Sequence, residues 1–145
     1  EFMPFNGNKW DWSRTVSEKY IKEIVAGHFQ QENVIELPLP PNSTSRNFKI
    51  KGFKGSYGII SSVTNPFCDT CNRIRLTADG KVKNCLFSTG EADLLTALRN
   101  NQPITPLIED LIRSKKKKRA GIDSFEDEEN KAFFEANRSM TTIGG

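Results

Sequence analysis

Long apolar runs, histidine and paired cysteines are what this sequence lacks. No stretch approaches the roughly 18 consecutive apolar residues that cross a bilayer as a helix, so no membrane partner is expected. With a single histidine, His28, neither a catalytic triad nor a multi-histidine metal site has a credible context, and no phosphate-cradling glycine loop or internal repeat is visible. Three cysteines cannot all pair within one molecule, which argues for a reducing compartment. Net charge is small too: a value of +3 suits a local anion site better than a nucleic-acid surface. Only 36% of residues are hydrophobic, so although the length suits one compact domain, the polar tract from Arg113 to Lys131 leaves part of the surface short of apolar cover.

What is present is concentrated between Phe67 and Phe87. This stretch holds Cys68, Cys71 and Cys85, the spacing Cys-x2-Cys-x13-Cys, together with Arg73 and Arg75. A close thiol pair plus one more thiol suits a single metal centre, because thiolates bind soft and borderline ions unaided. Structural zinc closes with four ligands and would need His28, Asp69 or an external group as the fourth. An iron–sulfur cluster is the better chemical match, since thiolates are its usual ligands and three of them leave one iron open.

Residues Arg73 to Thr77 alternate polar and apolar, the period of a half-buried strand, with Arg73, Arg75 and Thr77 on one face and Ile74 and Leu76 on the other. The return strand is Val82 to Phe87. A two-residue Asp-Gly turn would set Cys85 opposite Ile74, whereas a three-residue loop with Gly80 left-handed sets it opposite Arg73, on the face shared with Cys71. Arg73 and Arg75 would stand about 6 to 7 Å apart, each able to offer a planar fork to phosphate oxygens. The alternative is that both are ordinary exposed strand residues.

The remaining elements are expected as follows. Glu1 to Phe5 reads as the end of a buried strand, and its lack of an initiator Met marks the chain as a fragment. Thr15 to Glu18 fits a capping box, followed by an amphipathic helix with Tyr20, Ile21, Ile24, Val25 and Phe29 on one face and His28 as a packed boundary residue. Val34–Leu39, Phe48–Phe53 and Tyr57–Val63 read as strands. Ala92, Leu94, Leu95 and Leu98 mark a helix; Thr105 caps another, with Pro106 at its first position and Leu107, Ile108, Leu111 and Ile112 buried. Lys115 to Arg119 then offsets the helix dipole and stays solvated. Phe125, Phe133 and Phe134 anchor a polar tail.

The residues from Phe67 to Gly80, with Cys85-Leu86-Phe87 and the terminal Gly144-Gly145, resemble the C-terminal portion of the molybdenum cofactor biosynthesis protein A family. These GTP 3',8-cyclases are radical S-adenosylmethionine enzymes. The resemblance implies an α/β fold: the last part of an incomplete TIM-type barrel over residues 1–40, then an α+β iron–sulfur region with a β-hairpin and C-terminal helices over residues 41–145. It implies that Cys68, Cys71 and Cys85 ligate a second [4Fe-4S] cluster whose open iron meets the guanine of GTP, and that Arg73, Ile74 and Arg75 bind GTP. Met3 matches a barrel strand that contributes to S-adenosylmethionine binding, and Gly144 and Gly145 match a tail needed for turnover.

The implied reaction turns GTP into 3',8-cyclo-7,8-dihydro-GTP. In the complete enzyme a first [4Fe-4S] cluster cleaves S-adenosylmethionine, the resulting radical abstracts H3' of the ribose, and the carbon radical attacks C8. The resemblance also implies a homodimer, and cyclic pyranopterin monophosphate synthase as the enzyme acting on the product. The Cys-x3-Cys-x2-Cys motif of radical formation is absent, so the chain alone is expected to bind without catalysing. Arg119 stands where the family often has His. Met3 to Asn8 is closer to eukaryotic members, which implies the mitochondrial matrix; otherwise the location would be cytoplasmic. The reading from a different class is a small zinc module contacting RNA or a protein, with Lys115 to Arg119 as its electrostatic footprint.

Overall fold

Helix α1, Glu18–Phe29, begins where Ser17 caps it, its hydroxyl accepting from the Tyr20 amide at 3.2 Å. This satisfies one of the amides that a helix start leaves without an internal partner. The expected capping box therefore does not form. Thr15 donates instead to the Phe2 carbonyl at 3.4 Å, and Glu18 is buried, where its carboxylate serves other partners. The computed structural model describes residues 1–127 and 129–143. The chain divides into two units, one of Glu1–Met3 with Asp11–Cys71, the other of Pro4–Trp10 with the chain from Asn72 onward.

In the first unit α1 accompanies an antiparallel sheet of order β1-β2-β3, made of Val34–Glu36, Arg46–Ile50 and Ser56–Ile59. The strands are shorter than their apolar runs suggest. Pro38, Pro40 and Pro41 cannot donate to a ladder, and β1 ends ahead of them at Glu36. Phe48 pairs with Tyr57 across β2 and β3, their rings stacked 5.3 Å apart, and Phe48 is fully enclosed.

Glu18 organises this unit. Its Oε2 accepts from Arg46 Nη1 at 3.0 Å, Ser61 Oγ at 2.6 Å and Asn65 Nδ2 at 3.0 Å. A buried carboxylate needs such partners, because desolvation without them is costly. Glu1 plays a similar part: Oε2 accepts from the Val63 and Thr64 amides at 2.8 and 2.9 Å, and Oε1 from the Glu18 amide at 3.0 Å. Residues 1–5 hold an irregular path rather than the expected strand, fastened by this side chain. On α1, Tyr20 and Ile24 are exposed while Ile21, Val25 and Phe29 are half-covered. His28 is exposed too, its ring edge-on to Phe29 at 4.6 Å, and is not the packed residue its spacing suggests.

The second unit holds a sheet of order β4-β5-β6, antiparallel throughout, from Arg75–Leu76, Lys81–Lys83 and Ala92–Asp93. Among the described residues helices α2 Leu94–Arg99, α3 Thr105–Arg113, α4 Glu129–Glu135 and α5 Met140–Ile143 follow. Ala92 is in β6, not in α2, because it pairs with Val82 before the helix starts at its Asp93 cap. Thr105 is the first residue of α3 and does not cap it. Leu111 is buried on α3, whereas Ile112 is exposed. The core is aromatic: Phe87 meets Phe5 at 5.9 Å and Phe125 at 5.1 Å, and Phe125 stacks on Phe134 at 5.3 Å. Phe125 and Phe134 are buried and Phe133 half-buried, so they anchor the polar tail as their positions suggest. The chain is thus mixed α/β with two small antiparallel sheets, and no helix among the described residues is long and apolar enough to cross a membrane.

Candidate functional site

The hairpin of β4 and β5 turns through residues 78–80. Arg75 pairs with Lys83 and Leu76 with Val82, and the Thr77 amide donates to the Lys81 carbonyl at 2.8 Å. Three residues therefore form the loop, and Gly80 has φ +77°, the left-handed geometry that glycine adopts without steric cost. The Gly80 amide closes on the Thr77 carbonyl at 3.0 Å, and its own carbonyl accepts from the Leu94 and Leu95 amides at 3.1 and 3.0 Å. One residue thus closes the hairpin and serves the start of α2. The pairing ends at Arg75 and Lys83, and Cys85 lies in a bend two residues beyond it.

Alternation holds along the strand with its polar side inward. Arg73 and Arg75 are half-buried and Thr77 is buried, while Ile74 and Leu76 stand 46% and 65% exposed. The two arginines are therefore not ordinary exposed strand residues.

Cys68 and Cys71 belong to the first unit and flank a single 3-10 turn, Cys68–Thr70, closed by the Cys71 amide donating to the Cys68 carbonyl at 3.1 Å. A cleft of about 160 Å³ beside it is lined in part by Arg46, Phe67, Asp69 and Thr70. Cys85 follows β5 in the second unit, two residues ahead of buried Phe87. All three sulfurs are thiols, and each is half-buried. This donor chemistry fits a thiolate-held cluster. Among the described residues no group of three or more His, Cys, Asp or Glu side chains is gathered so that it could hold a metal ion. Met3 is half-buried in the first unit. Gly144 and Gly145 lie outside the described residues.

A polar cluster that the sequence pattern does not reveal supports the hairpin. Lys83 is wholly buried, and its ammonium donates to the Ser88 carbonyl and to Asn137 Oδ1 at 2.7 Å, with Glu91 Oε1 3.7 Å away. Asn137 Nδ2 donates to the Leu86 carbonyl at 3.2 Å. Arg138 Nη2 donates to Glu91 Oε2 and to Asp79 Oδ2, both at 2.7 Å. Arg138 and the Thr77 hydroxyl hold the Asp79 carboxyl down to about 2. Arg138 likewise lowers Glu91, and burial lowers Lys83. Composition offers no signal for the contacts of Asn137 and Arg138 with residues 79–91, because they join residues 47 to 59 apart in the chain.

The basic run after α3 departs from its expected solvation at both ends. Lys115 Nζ donates to the Arg73 carbonyl at 2.8 Å. Arg119 is buried, with its guanidinium 4.9 Å over the Phe125 ring and Nη2 donating to the Asp123 carbonyl. Lys116, Lys117 and Lys118 are exposed, as expected of solvated cations.

Comparison with known proteins gives a consistent match. The family model described as Molybdenum Cofactor Synthesis C matches residues 1–122. Over 124 residues the chain is 42% identical to "Molybdenum cofactor biosynthesis protein 1" of Drosophila melanogaster, covering 83% of the chain and 22% of that protein. It is 37% identical over 134 residues to the Homo sapiens protein of the same name, covering 90% and 21%. Over 148 residues it is 37% identical to "GTP 3',8-cyclase, mitochondrial" of Arabidopsis thaliana, covering 100% and 36%. The chain thus spans between about a fifth and about a third of these relatives' length.

Proposed function

The chain belongs to the Molybdenum Cofactor Synthesis C family, and from that premise we propose that it is the C-terminal, substrate-binding part of a GTP 3',8-cyclase. The complete protein would be a radical S-adenosylmethionine lyase converting GTP to 3',8-cyclo-7,8-dihydro-GTP in molybdenum cofactor biosynthesis. Residues 1–40 would complete a TIM-type barrel and residues 41–145 would form the iron–sulfur region. Cys68, Cys71 and Cys85 would hold the second [4Fe-4S] cluster. When bound, that cluster supplies an iron without a protein ligand, on which the guanine ring can be oriented.

The observation that carries this reading is the half-buried Arg73–Arg75 face, at the same end of the hairpin as Cys85. Two guanidinium forks on one short segment leading into β4 suit a polyphosphate, and charge-assisted hydrogen bonds from them would fix the nucleotide so that its two reacting carbons approach. Ile74, exposed on the opposite side of this segment, would complete the GTP-binding stretch. Met3 would contribute to S-adenosylmethionine binding, and Gly144 and Gly145 to turnover. The Arabidopsis relative is named as mitochondrial, which supports the mitochondrial matrix for a eukaryotic source. A homodimer, with cyclic pyranopterin monophosphate synthase acting on the product, completes the proposal. The zinc-module reading has less support, because it needs a fourth ligand and His28 is exposed against Phe29.

Equilibrium titration of the cluster-loaded protein with GTP tests the assignment. Arg73→Ala and Arg75→Ala should each weaken binding about tenfold or more, the scale of a lost charge-assisted hydrogen bond. Unchanged affinity in both variants would contradict it.

A further inference from the structure

The segments that enter and leave the hairpin, at Arg73 and Asn84, are both held by a single turn of another element. Helix α3 ends at Arg113, and the turn that closes it is defined by Ser114 N donating to the Asp110 carbonyl at 2.9 Å and Lys115 N to the Ile112 carbonyl at 3.1 Å. From this turn the Leu111 carbonyl and Ser114 Oγ accept from Asn84 Nδ2 at 2.9 and 3.2 Å. Asn84 directly precedes Cys85. From the same turn Lys115 Nζ reaches the Arg73 carbonyl at 2.8 Å. The Arg73 end and the Cys85 end of the hairpin thus share one support.

We infer that Lys115 is a positioning residue for the substrate: its hydrogen bond to the Arg73 carbonyl fixes the backbone from which the Arg73 and Arg75 side chains are presented. The inference rests on the GTP-binding reading of those arginines and adds a residue to it. The regular ladder reaches back only to Arg75, so the carbonyl of Arg73 lies beyond the strand pairing, where the Lys115 bond restrains it. A half-buried ammonium supplies one, because a charged donor strengthens the bond in a partly desolvated setting. The donor also matches its location. At the end of α3 the helix carbonyls favour a cation, while the stem of lysine is long enough to carry that charge to the neighbouring segment. Lys115 acts on the substrate through Arg73, by the hydrogen bond from its nitrogen to the backbone oxygen.

The test is a double-mutant cycle on the cluster-loaded, full-length protein, read as GTP affinity by equilibrium titration, with thermal unfolding measured alongside. Lys115→Met should weaken GTP binding about tenfold, the scale of a lost hydrogen bond from a charged group. Lys115→Arg, which keeps a cationic donor, should stay within about threefold of wild type. In the Arg73→Ala background, Lys115→Met should add no more than about twofold, because the two residues act as one unit.

Unchanged affinity for Lys115→Met, with Arg73→Ala weakened, overturns the inference and leaves the substrate reading intact. Additive losses overturn it as well, since Lys115 would then contact the nucleotide independently. If Lys115→Met does not fold, a loss of binding in the folded Lys115→Arg protein far beyond threefold overturns it, and retention supports it. If Arg73→Ala and Arg75→Ala both bind GTP normally, the substrate reading fails and takes this inference with it.

Discussion

The ammonium of Lys83, enclosed in β5, donates to the side-chain carbonyl of Asn137 at 2.7 Å, and so ties the strand that leads to Cys85 to the segment between α4 and α5. Asn137 answers through its amide to the Leu86 carbonyl at 3.2 Å. The strand and the tail are therefore one hydrogen-bonded unit. Replacing Lys83 by Met keeps the stem but leaves buried acceptors unmatched. We expect a loss of about 2 to 4 kcal/mol in denaturant unfolding, the scale for breaking a buried charged contact. A loss below about 0.5 kcal/mol, the scatter of neutral surface changes, would remove Lys83 from the structural account.

Acid should release the tail before it unfolds the rest. The Asp79 carboxyl is held down to about 2 by Arg138 and Thr77, and Glu91 is lowered chiefly by Arg138. Groups with depressed folded values contribute stability above their unfolded values near 4, and that contribution is lost as pH falls toward the folded values. Hydrogen exchange in peptides covering 136–140 of the cluster-free protein should therefore accelerate between about pH 4 and pH 2 beyond the intrinsic trend. Arg138→Gln should lack this acid step.

One substitution should have opposite signs at two glycines. Gly80 has φ +77°, and an added Cβ would overlap Leu95 Cβ and stand 3.2 Å from its Cγ and Cδ2. Gly80→Ala should cost about 2 to 4 kcal/mol from left-handed strain and overpacking. Gly27 lies inside α1 with open space around it. Gly27→Ala should raise stability by about 0.5 to 1 kcal/mol, the helix preference for Ala over Gly. Thermal unfolding of the two variants checks both signs.

Glu18 should be the most sensitive polar position of the first unit. Its Oε2 serves Arg46, Ser61 and Asn65, and removing it leaves a half-buried guanidinium without its carboxylate. Glu18→Ala should cost about 3 to 5 kcal/mol in urea unfolding, and Glu18→Gln less, because an amide oxygen still accepts.

The hairpin was legible in the sequence because its determinants are local. Asp79-Gly80 and strict alternation were enough to give the three-residue loop and its register, both observed. Which face would be covered was not legible: Arg73 and Arg75 turn inward and Ile74 and Leu76 outward, because burial depends on what packs against the strand. The start of α1 was misread for a similar reason. Glu18 has the right spacing for a capping box, yet Arg46, Ser61 and Asn65 compete for its carboxylate from 28 to 47 residues away. Lys115 looked like one solvated cation in a run of five, and only the fold brings it to the Arg73 carbonyl.

The account turns on what Cys68, Cys71 and Cys85 hold. Anaerobic reconstitution with iron and sulfide, followed by absorbance and by iron, sulfide and zinc analysis, measures it directly. We predict broad charge-transfer absorbance, with iron and sulfide bound in equal amounts and lost together when any one of the three cysteines is changed to Ser. Tightly bound stoichiometric zinc without sulfide would contradict the account and favour the zinc module.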